Sequence, residues 1–123
     1  MILLNDFFTI QELSQTADSA KAMIAIDPAH AIFTGHFPGQ PVVPGVCMMQ
    51  IVKEIVETVT GKRTNMGTVQ EMKFLALIDP LKNNLIHVEV MCTTDNTDSI
   101  QVSATMAGAG VLHFKFKGRL DAQ

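Results

Sequence analysis

Hydrophobic residues follow the pattern of β-strands in some segments of this chain and that of an α-helix in another, which divides the chain into elements. Residues 7–13 and 21–27 have the length and apolar content of short strands, and the polar segment 14–19 joins them as a hairpin. From Gly45 to Thr60 the apolar residues instead recur every three to four positions, which is the period of an α-helix. The pattern therefore predicts a first hairpin followed by one helix.

The predicted helix has a broad apolar face and an opposite polar face. The apolar face comprises Cys47, Met48, Met49, Ile51, Val52, Ile55, Val56 and Val59. The polar face comprises Gln50, Lys53, Glu54, Glu57 and Thr58. Gly61 supplies the C-terminal stop. We expect a core helix with one side in solvent.

Only strands are predicted after the helix. Residues 69–77 form the first, with Met72, Phe74 and Ala76 on one face, and residues 85–92 form the second. A turn at 95–98 leads into a third strand, in which the glycines at 108 and 110 indicate a bend or bulge. Beyond that bend we expect Leu112, Phe114 and Phe116 to continue one face and His113, Lys115 and Lys117 to occupy the other. The order β-β-α-β-β-β indicates an antiparallel sheet of the α+β class.

Composition narrows the function classes. The 123 residues suffice for a single domain, 1–123, and a net charge of −3 argues against nucleic acid as a partner. No apolar run reaches the length of a membrane span and no basic leader opens the chain, so we expect no membrane span and a cytoplasmic location. Cys47 and Cys92 are far apart in sequence, and we expect two reduced, buried thiols. His30, His87 and His113 have no metal-ligand spacing, so no metal or other cofactor is expected.

The segment before the helix carries the candidate chemistry. It runs from Gly35 to Val46 and holds three prolines and three glycines, which make the backbone stiff at some positions and permissive at others. His36 is a potential proton carrier at neutral pH. Pro44 fits the start of the helix, so the amides of Gly45 and Val46 are predicted to face a ligand.

This segment also resembles a known motif. The run His36-Phe37-Pro38-Gly39-Gln40-Pro41-Val42-Val43-Pro44-Gly45-Val46 is similar to the active-site motif of the 3-hydroxyacyl-(acyl carrier protein) dehydratases. The resemblance implies a hotdog fold, in which a sheet wraps around one long helix, and a homodimer or a dimer-based larger assembly, with two sheets paired edge to edge. It further implies a hydro-lyase of fatty acid or related acyl-chain biosynthesis that acts on acyl carrier protein or coenzyme A thioesters.

The same resemblance assigns roles to residues. His36 would be the general base that removes the C2 proton, and the Gly45 N–H would stabilise the thioester oxyanion. Fourteen residues after the histidine, where the family carries a catalytic carboxylate, this chain has Gln50. A carboxamide can hydrogen-bond the leaving hydroxyl but cannot protonate it. His36 would then carry the proton in both steps, or another acid would substitute; Glu54, one helical turn on, is nearest by spacing.

Other residues have weaker claims to a role. Aromatic and thioether side chains near the motif are candidates to line an acyl tunnel, or are simply core: Phe33, Phe37, Met48 and Met49. Cys47 lies at a helix N-terminus, yet its place on the apolar face favours an inert thiol. Lys115, Lys117 and Arg119 form a small basic stripe that would suit an acidic carrier protein or the phosphates of coenzyme A, or would serve solubility alone.

Two alternatives to a dehydratase remain open from the sequence. The first is a hotdog thioesterase, in which the polar pair orients a water at the thioester carbonyl. The second is a catalytically weak acyl-binding protein, or one half of a heterodimer whose partner supplies the carboxylate. The loss of an acid at Gln50 motivates the second alternative.

Overall fold

The computed structural model describes residues 3–35, 41–94 and 98–123, and eight elements lie within them. In chain order they are β1 (Phe8–Gln15), β2 (Ser19–Ile26), α1 (Ile32–Gly35), α2 (Gly45–Thr60), β3 (Thr64–Phe74), β4 (Leu85–Thr94), β5 (Ser99–Gly108) and β6 (Val111–Ala122). The first hairpin and α2 are where the sequence predicted them. Within these residues no helix has the length and apolar character needed to cross a membrane.

The strands form one antiparallel sheet in the order β1-β2-β4-β5-β6-β3, and α2 lies across one face of it. Alternate residues of the central strands are buried beneath the helix, as the period of two requires. The helix contributes Cys47, Met48, Ile51, Val52, Ile55 and Val56 to this core. The α+β class and the antiparallel sheet are as predicted.

One residue of the predicted polar helix face is buried, contrary to expectation. Glu54 is only 5% exposed rather than in solvent. The backbone of Leu3 and Leu4 covers this side of α2, and both amides donate hydrogen bonds to the Glu54 carboxylate. Helical periodicity reports only which way a side chain points, so it could not show that a distant segment lies over it.

The third strand predicted after the helix is in fact two strands. Ala109 and Gly110 both have positive φ, 50° and 78°, and they reverse the chain between β5 and β6. Two successive residues with positive φ are typical of tight hairpin turns, because the twist of such a turn matches the twist of the two paired strands. The glycine at 110 therefore marks a hairpin turn, where the sequence predicted a bend or bulge within one strand.

A bulge just after this turn reverses the expected faces of Leu112 and His113. Met106 pairs with Phe114 but Ala107 pairs with Leu112, so His113 is an extra residue on β6. Leu112 is consequently exposed and His113 buried, contrary to the predicted alternation. Phe114 and Phe116 are buried and Lys115 and Lys117 exposed, as predicted.

β3 is an edge strand with an uncovered apolar face. Met66, Met72 and Phe74 are paired with the buried residues Leu120, Phe116 and Phe114, so they lie on the helix side of the sheet. They are nonetheless 36% to 53% exposed, because α2 covers this face only in part. The other edge strand, β1, exposes mainly polar residues. One helix therefore covers only part of the sheet.

Candidate functional site

The N-terminus of α2 has the geometry that the prolines predicted. Pro44 is the N-cap, in an extended conformation with φ −61° and ψ 145°, and its carbonyl accepts hydrogen bonds from the Cys47 and Met48 amides. Gly45 and Val46 are the first two helical residues, whose N–H groups have no intrahelical acceptor. The cap also makes no side-chain hydrogen bond. This end of the helix can therefore receive a partial negative charge from a ligand.

An apolar groove of about 430 Å³ lies beside this helix terminus. Two segments and the first turn of α2 form its walls: Val42, Val43, Pro44, Gly45, Met48, Phe74, Leu75, Ala76 and Leu77. Its volume lies in the range of small-molecule sites, and its lining suits a hydrocarbon chain more than a polar ligand. The groove thus has an apolar lining and a hydrogen-bond donor at the helix end.

The bulge on β6 holds one wall of the groove in place. The His113 carbonyl accepts hydrogen bonds from the Leu75 amide at 2.8 Å and the Ala76 amide at 3.4 Å. The His113 Nδ1 lies 3.1 Å from the Ala76 carbonyl oxygen. Since a carbonyl only accepts, Nδ1 carries the proton in this contact. A single buried histidine thus fixes the segment that follows β3.

A close contact favours glycine at position 45, where the backbone has no positive φ that would itself require it. A Cβ at this position would lie 2.9 Å from the Cε1 and 3.0 Å from the Cζ of Phe74. Phe74 is 53% exposed, so its ring can move aside, and the adjacent groove is the space it would enter. Residue identity alone could not separate a turn from a close approach, but the contact shows that Gly45 keeps the groove open.

Substituting Gly45→Ala is therefore expected to impair substrate binding more than chemistry. The amide donor remains while the displaced Phe74 ring fills the groove, so KM for the thioester substrate that the motif implies should rise about 10-fold, with kcat little changed. Steady-state kinetics measure both quantities. Adding Phe74→Leu to the alanine variant should restore KM, and a KM that stays high in the double variant would contradict a steric cause.

Gln50 and Glu54 form a hydrogen-bonded pair on the second and third turns of α2. Gln50 is half-buried, and its Nε2 donates to Glu54 Oε2 at 2.9 Å. The same carboxylate accepts the Leu3 amide on both oxygens at 2.9 Å and the Leu4 amide on Oε1 at 2.8 Å. Glu54 is thus near Gln50, as the spacing suggested, but it is enclosed by donors.

The remaining predicted site residues do not all lie beside the groove. His36 and Phe37 lie outside the described residues. Phe33 packs against Phe7 with ring centroids 5.5 Å apart, and Met49 is buried in the core; neither lines the groove, whereas Met48 does. Val46 is 73% exposed on the surface beside Gly45.

The groove wall formed by residues 74–77 was not predicted from the sequence. Its signal was a run of four apolar residues, Phe-Leu-Ala-Leu, that does not alternate and so leaves apolar side chains on both sides of the backbone.

The thiols and the basic stripe add no chemistry to this site. Cys47 is fully buried and Cys92 partly so; neither forms a disulfide within the described residues, and burial raises the pKa of both thiols. Arg119 is paired with Asp121 at 2.9 Å. Lys115 and Lys117 share a shallow depression on the outer face of the sheet with acidic residues, Glu71 and Glu89.

Comparison with known proteins places these features in a family context. Residues 12–116 match the family model described as ApeI-like, ApeI dehydratase. The chain is similar to the 3-hydroxyacyl-(acyl-carrier-protein) dehydratase FabZ of Lactiplantibacillus plantarum, with 27% identity over 81 residues, 60% of this chain and 55% of that protein. It is also similar to FabZ of Oenococcus oeni, with 30% identity over 83 residues, 62% of this chain and 60% of that protein. The chain thus spans less than two thirds of the length of these curated relatives.

Solved structures share the fold. The dehydratase heterocomplex ApeI:P from Xenorhabdus doucetiae superposes with a TM-score of 0.72 at 20% identity, covering 91% of this chain and 96% of that one. A hypothetical thioesterase with coenzyme A from Streptococcus pneumoniae gives a TM-score of 0.68 at 8% identity, covering 94% and 85%. The architecture is therefore the hotdog fold, as the motif implied.

Proposed function

The chain belongs to the ApeI-like dehydratase family, and on that premise we propose that it removes water from a 3-hydroxyacyl thioester. The observation that carries this proposal is the apolar groove that Gly45 lines at the N-terminus of α2. An acyl chain lying in the groove would bring its thioester carbonyl to the start of α2. The enolate oxygen formed there would accept a hydrogen bond from Gly45, and one such donor is worth about 3 kcal/mol at a transition state.

In the proposed reaction His36 acts twice. Its neutral imidazole removes the proton from C2, and the electron pair of that C–H bond forms the enolate. When the enolate collapses, that pair forms the C2–C3 double bond and the C3–O bond breaks. The imidazolium then gives the same proton to the departing hydroxyl, which leaves as water. Both proton transfers in this scheme are made by His36, so no other acid is needed. This is necessary because the Gln50 carboxamide cannot act as an acid.

We propose that two copies of the chain form the working unit. The helix-side face of β3 is apolar and uncovered, and a second sheet paired at this edge would bury it. The polar exposed residues of β1 make the opposite edge unsuited to such burial. In the resembled family each site takes its histidine from one subunit and its acid from the other, so His36 of one copy would face Gln50 of its partner.

The substrate is proposed to arrive on a phosphopantetheine arm, carried by acyl carrier protein or coenzyme A in the cytoplasm. The FabZ relatives are named for the carrier-protein form of the substrate. A groove open along one side admits a flexible arm that leads back to a large carrier.

Incubating the protein with a short 3-hydroxyacyl thioester tests the proposal. Formation of the conjugated enoyl thioester, followed by its ultraviolet absorbance, is the expected result. Release of free thiol without enoyl product would instead indicate a thioesterase, the activity in the name of the pneumococcal neighbour.

A protein that gives neither product contradicts the proposed activity for the chain alone. The heterodimer alternative would then be tested by adding a candidate partner chain, since the Xenorhabdus neighbour belongs to a dehydratase heterocomplex. An acyl-binding role would be tested by equilibrium binding of the same thioester.

A further inference from the structure

His30 lies in the turn that joins β2 to α1, and both nitrogens of its ring have a hydrogen-bond partner. Its Nδ1 accepts a hydrogen bond from the Ile32 amide at 3.1 Å, and its Nε2 lies 3.1 Å from Oδ2 of Asp6. Because an amide N–H only donates and a carboxylate only accepts, Nδ1 is unprotonated and Nε2 carries the proton. The two contacts therefore select the neutral Nε2–H form of this histidine.

Aromatic packing holds the ring in this orientation. The Phe7 ring meets the His30 ring edge-on, with centroids 5.3 Å apart and planes at 79°, and Phe7 packs in turn against Phe33 of α1. Phe7 and Phe33 are both buried, and the side chain of His30 is only 21% exposed. A ring confined in this way cannot readily turn over to exchange its two partners.

A proton added to Nδ1 would convert this acceptor into a donor. Imidazole is the side chain that gains such a proton between about pH 8 and 5, and an imidazolium Nδ1–H cannot accept a hydrogen bond from the Ile32 amide. The contact with Asp6 persists, since Nε2 donates in both states. Asp6 is 70% exposed, however, and an ion pair of this kind contributes little. Protonation therefore removes the hydrogen bond at the start of α1 without a comparable gain elsewhere.

The charged groups that face the ring do not replace this lost hydrogen bond. Among the described residues, the only carboxylate in ion-pair contact with the ring is that of Asp6, on the Nε2 side. Asp27, just after β2, accepts the His30 amide through its carbonyl, and its carboxylate accepts the Ala29 amide. Neither α1, with the sequence Ile-Phe-Thr-Gly, nor Phe7 carries a charge. No negative charge is thus in contact with Nδ1 in the described part of the chain.

We propose that His30 is a pH-dependent lock on the turn that leads into α1, closed when the ring is neutral and open when it is protonated. In the closed state Nδ1 holds the Ile32 amide, and the His30 carbonyl accepts the Phe33 amide at 3.1 Å. In the open state the Ile32 amide is released to solvent while Asp6 keeps the ring in place. The lock controls local opening of α1 and does not depend on the proposed dehydration.

Amide hydrogen exchange, followed by NMR in ¹⁵N-labelled protein, tests the lock at the Ile32 amide. The quantity to compare is the protection factor, the ratio of the intrinsic to the observed exchange rate at each pH, because it removes the direct effect of pH on exchange. We expect it to fall about 10-fold between pH 8 and 5, in step with the titration of the His30 ring signals. The amide of Val90, on a strand paired on both sides, should keep its protection.

Two substitutions separate the roles of the two ring nitrogens. In His30→Asn the side-chain carbonyl oxygen takes about the place of Nδ1 and accepts the Ile32 amide at every pH, so protection should stay high from pH 8 to 5. In His30→Gln the longer carboxamide keeps a donor toward Asp6 but offers no acceptor to Ile32. Protection in His30→Gln should therefore be low, about 10-fold below the native value at pH 8, across the same range.

Three results would overturn the lock. They are a His30 ring that does not titrate between pH 8 and 5, an Ile32 protection factor that stays constant while the ring titrates, and a His30→Asn profile that falls as the native one does. If His30→Gln folds poorly, as judged by loss of protection at Val90, the native and His30→Asn profiles alone decide. The enoyl assay is a separate readout, and its outcome leaves this test unchanged.

Discussion

Replacing His36 by alanine is expected to lower kcat for dehydration by at least about 10³-fold. A single positioned acid–base group contributes about 10²- to 10⁴-fold, and here the same imidazole is proposed to take the C2 proton and to return it to the hydroxyl. No carboxylate stands at position 50 to perform the second transfer in its absence. KM should change little, because the groove and the Gly45 amide still bind the thioester.

The matched control is His87→Ala, which removes an exposed histidine of β4 from the outer face of the sheet. Its kcat should equal that of the native protein. A His36→Ala variant that retains even a tenth of native activity would show that another group carries the proton, and the single-base scheme would be abandoned.

The second large effect is expected from a charge on the uncovered face of β3. Met72→Lys places an ammonium among side chains that the proposed dimer would bury, and a two-fold interface brings one such charge from each copy. The dimer should weaken by about 10²-fold or more, so the mass in solution falls by half at micromolar concentration. Dehydration should fall with it, because each site is proposed to draw on both copies.

Light scattering coupled to size-exclusion chromatography gives the mass, and the enoyl assay at the same concentrations gives the activity. Ser14→Lys adds the same charge to an exposed position of β1, the other edge strand, and should change neither. A monomeric Met72→Lys variant with full activity would refute the shared site while leaving a dehydratase in place.

Local signals were enough to predict α2 and its N-terminus. Pro44 and Gly61 bracket the helix in sequence, and both occupy the cap positions that their backbone preferences favour. Because a free amide at Gly45 depends only on where the helix begins, it followed from the same residues, whereas its oxyanion role is what the resemblance implies. The hotdog fold followed from the motif and the order of elements.

Contacts between distant segments could not be predicted in the same way. Glu54 is covered by residues about 50 positions earlier, and no periodic pattern within α2 contains that information. The faces of Leu112 and His113 depend on one extra residue in β6, and a strict two-residue alternation fails wherever a bulge intervenes. The groove wall at residues 74–77 depends in turn on that bulge.

The bulge at His113 also bears on how substrate range can change in evolution. One inserted residue, remote in sequence from the helix and the motif, anchors the backbone of Leu75 and Ala76 along the groove. Its deletion would restore regular pairing between β5 and β6, remove that anchor and move the wall, with no substitution at His36, Gly45 or Gln50. If the chain is the dehydratase proposed above, its acyl-chain length preference can therefore diverge by insertion and deletion in a strand while the proposed catalytic residues are inherited unchanged.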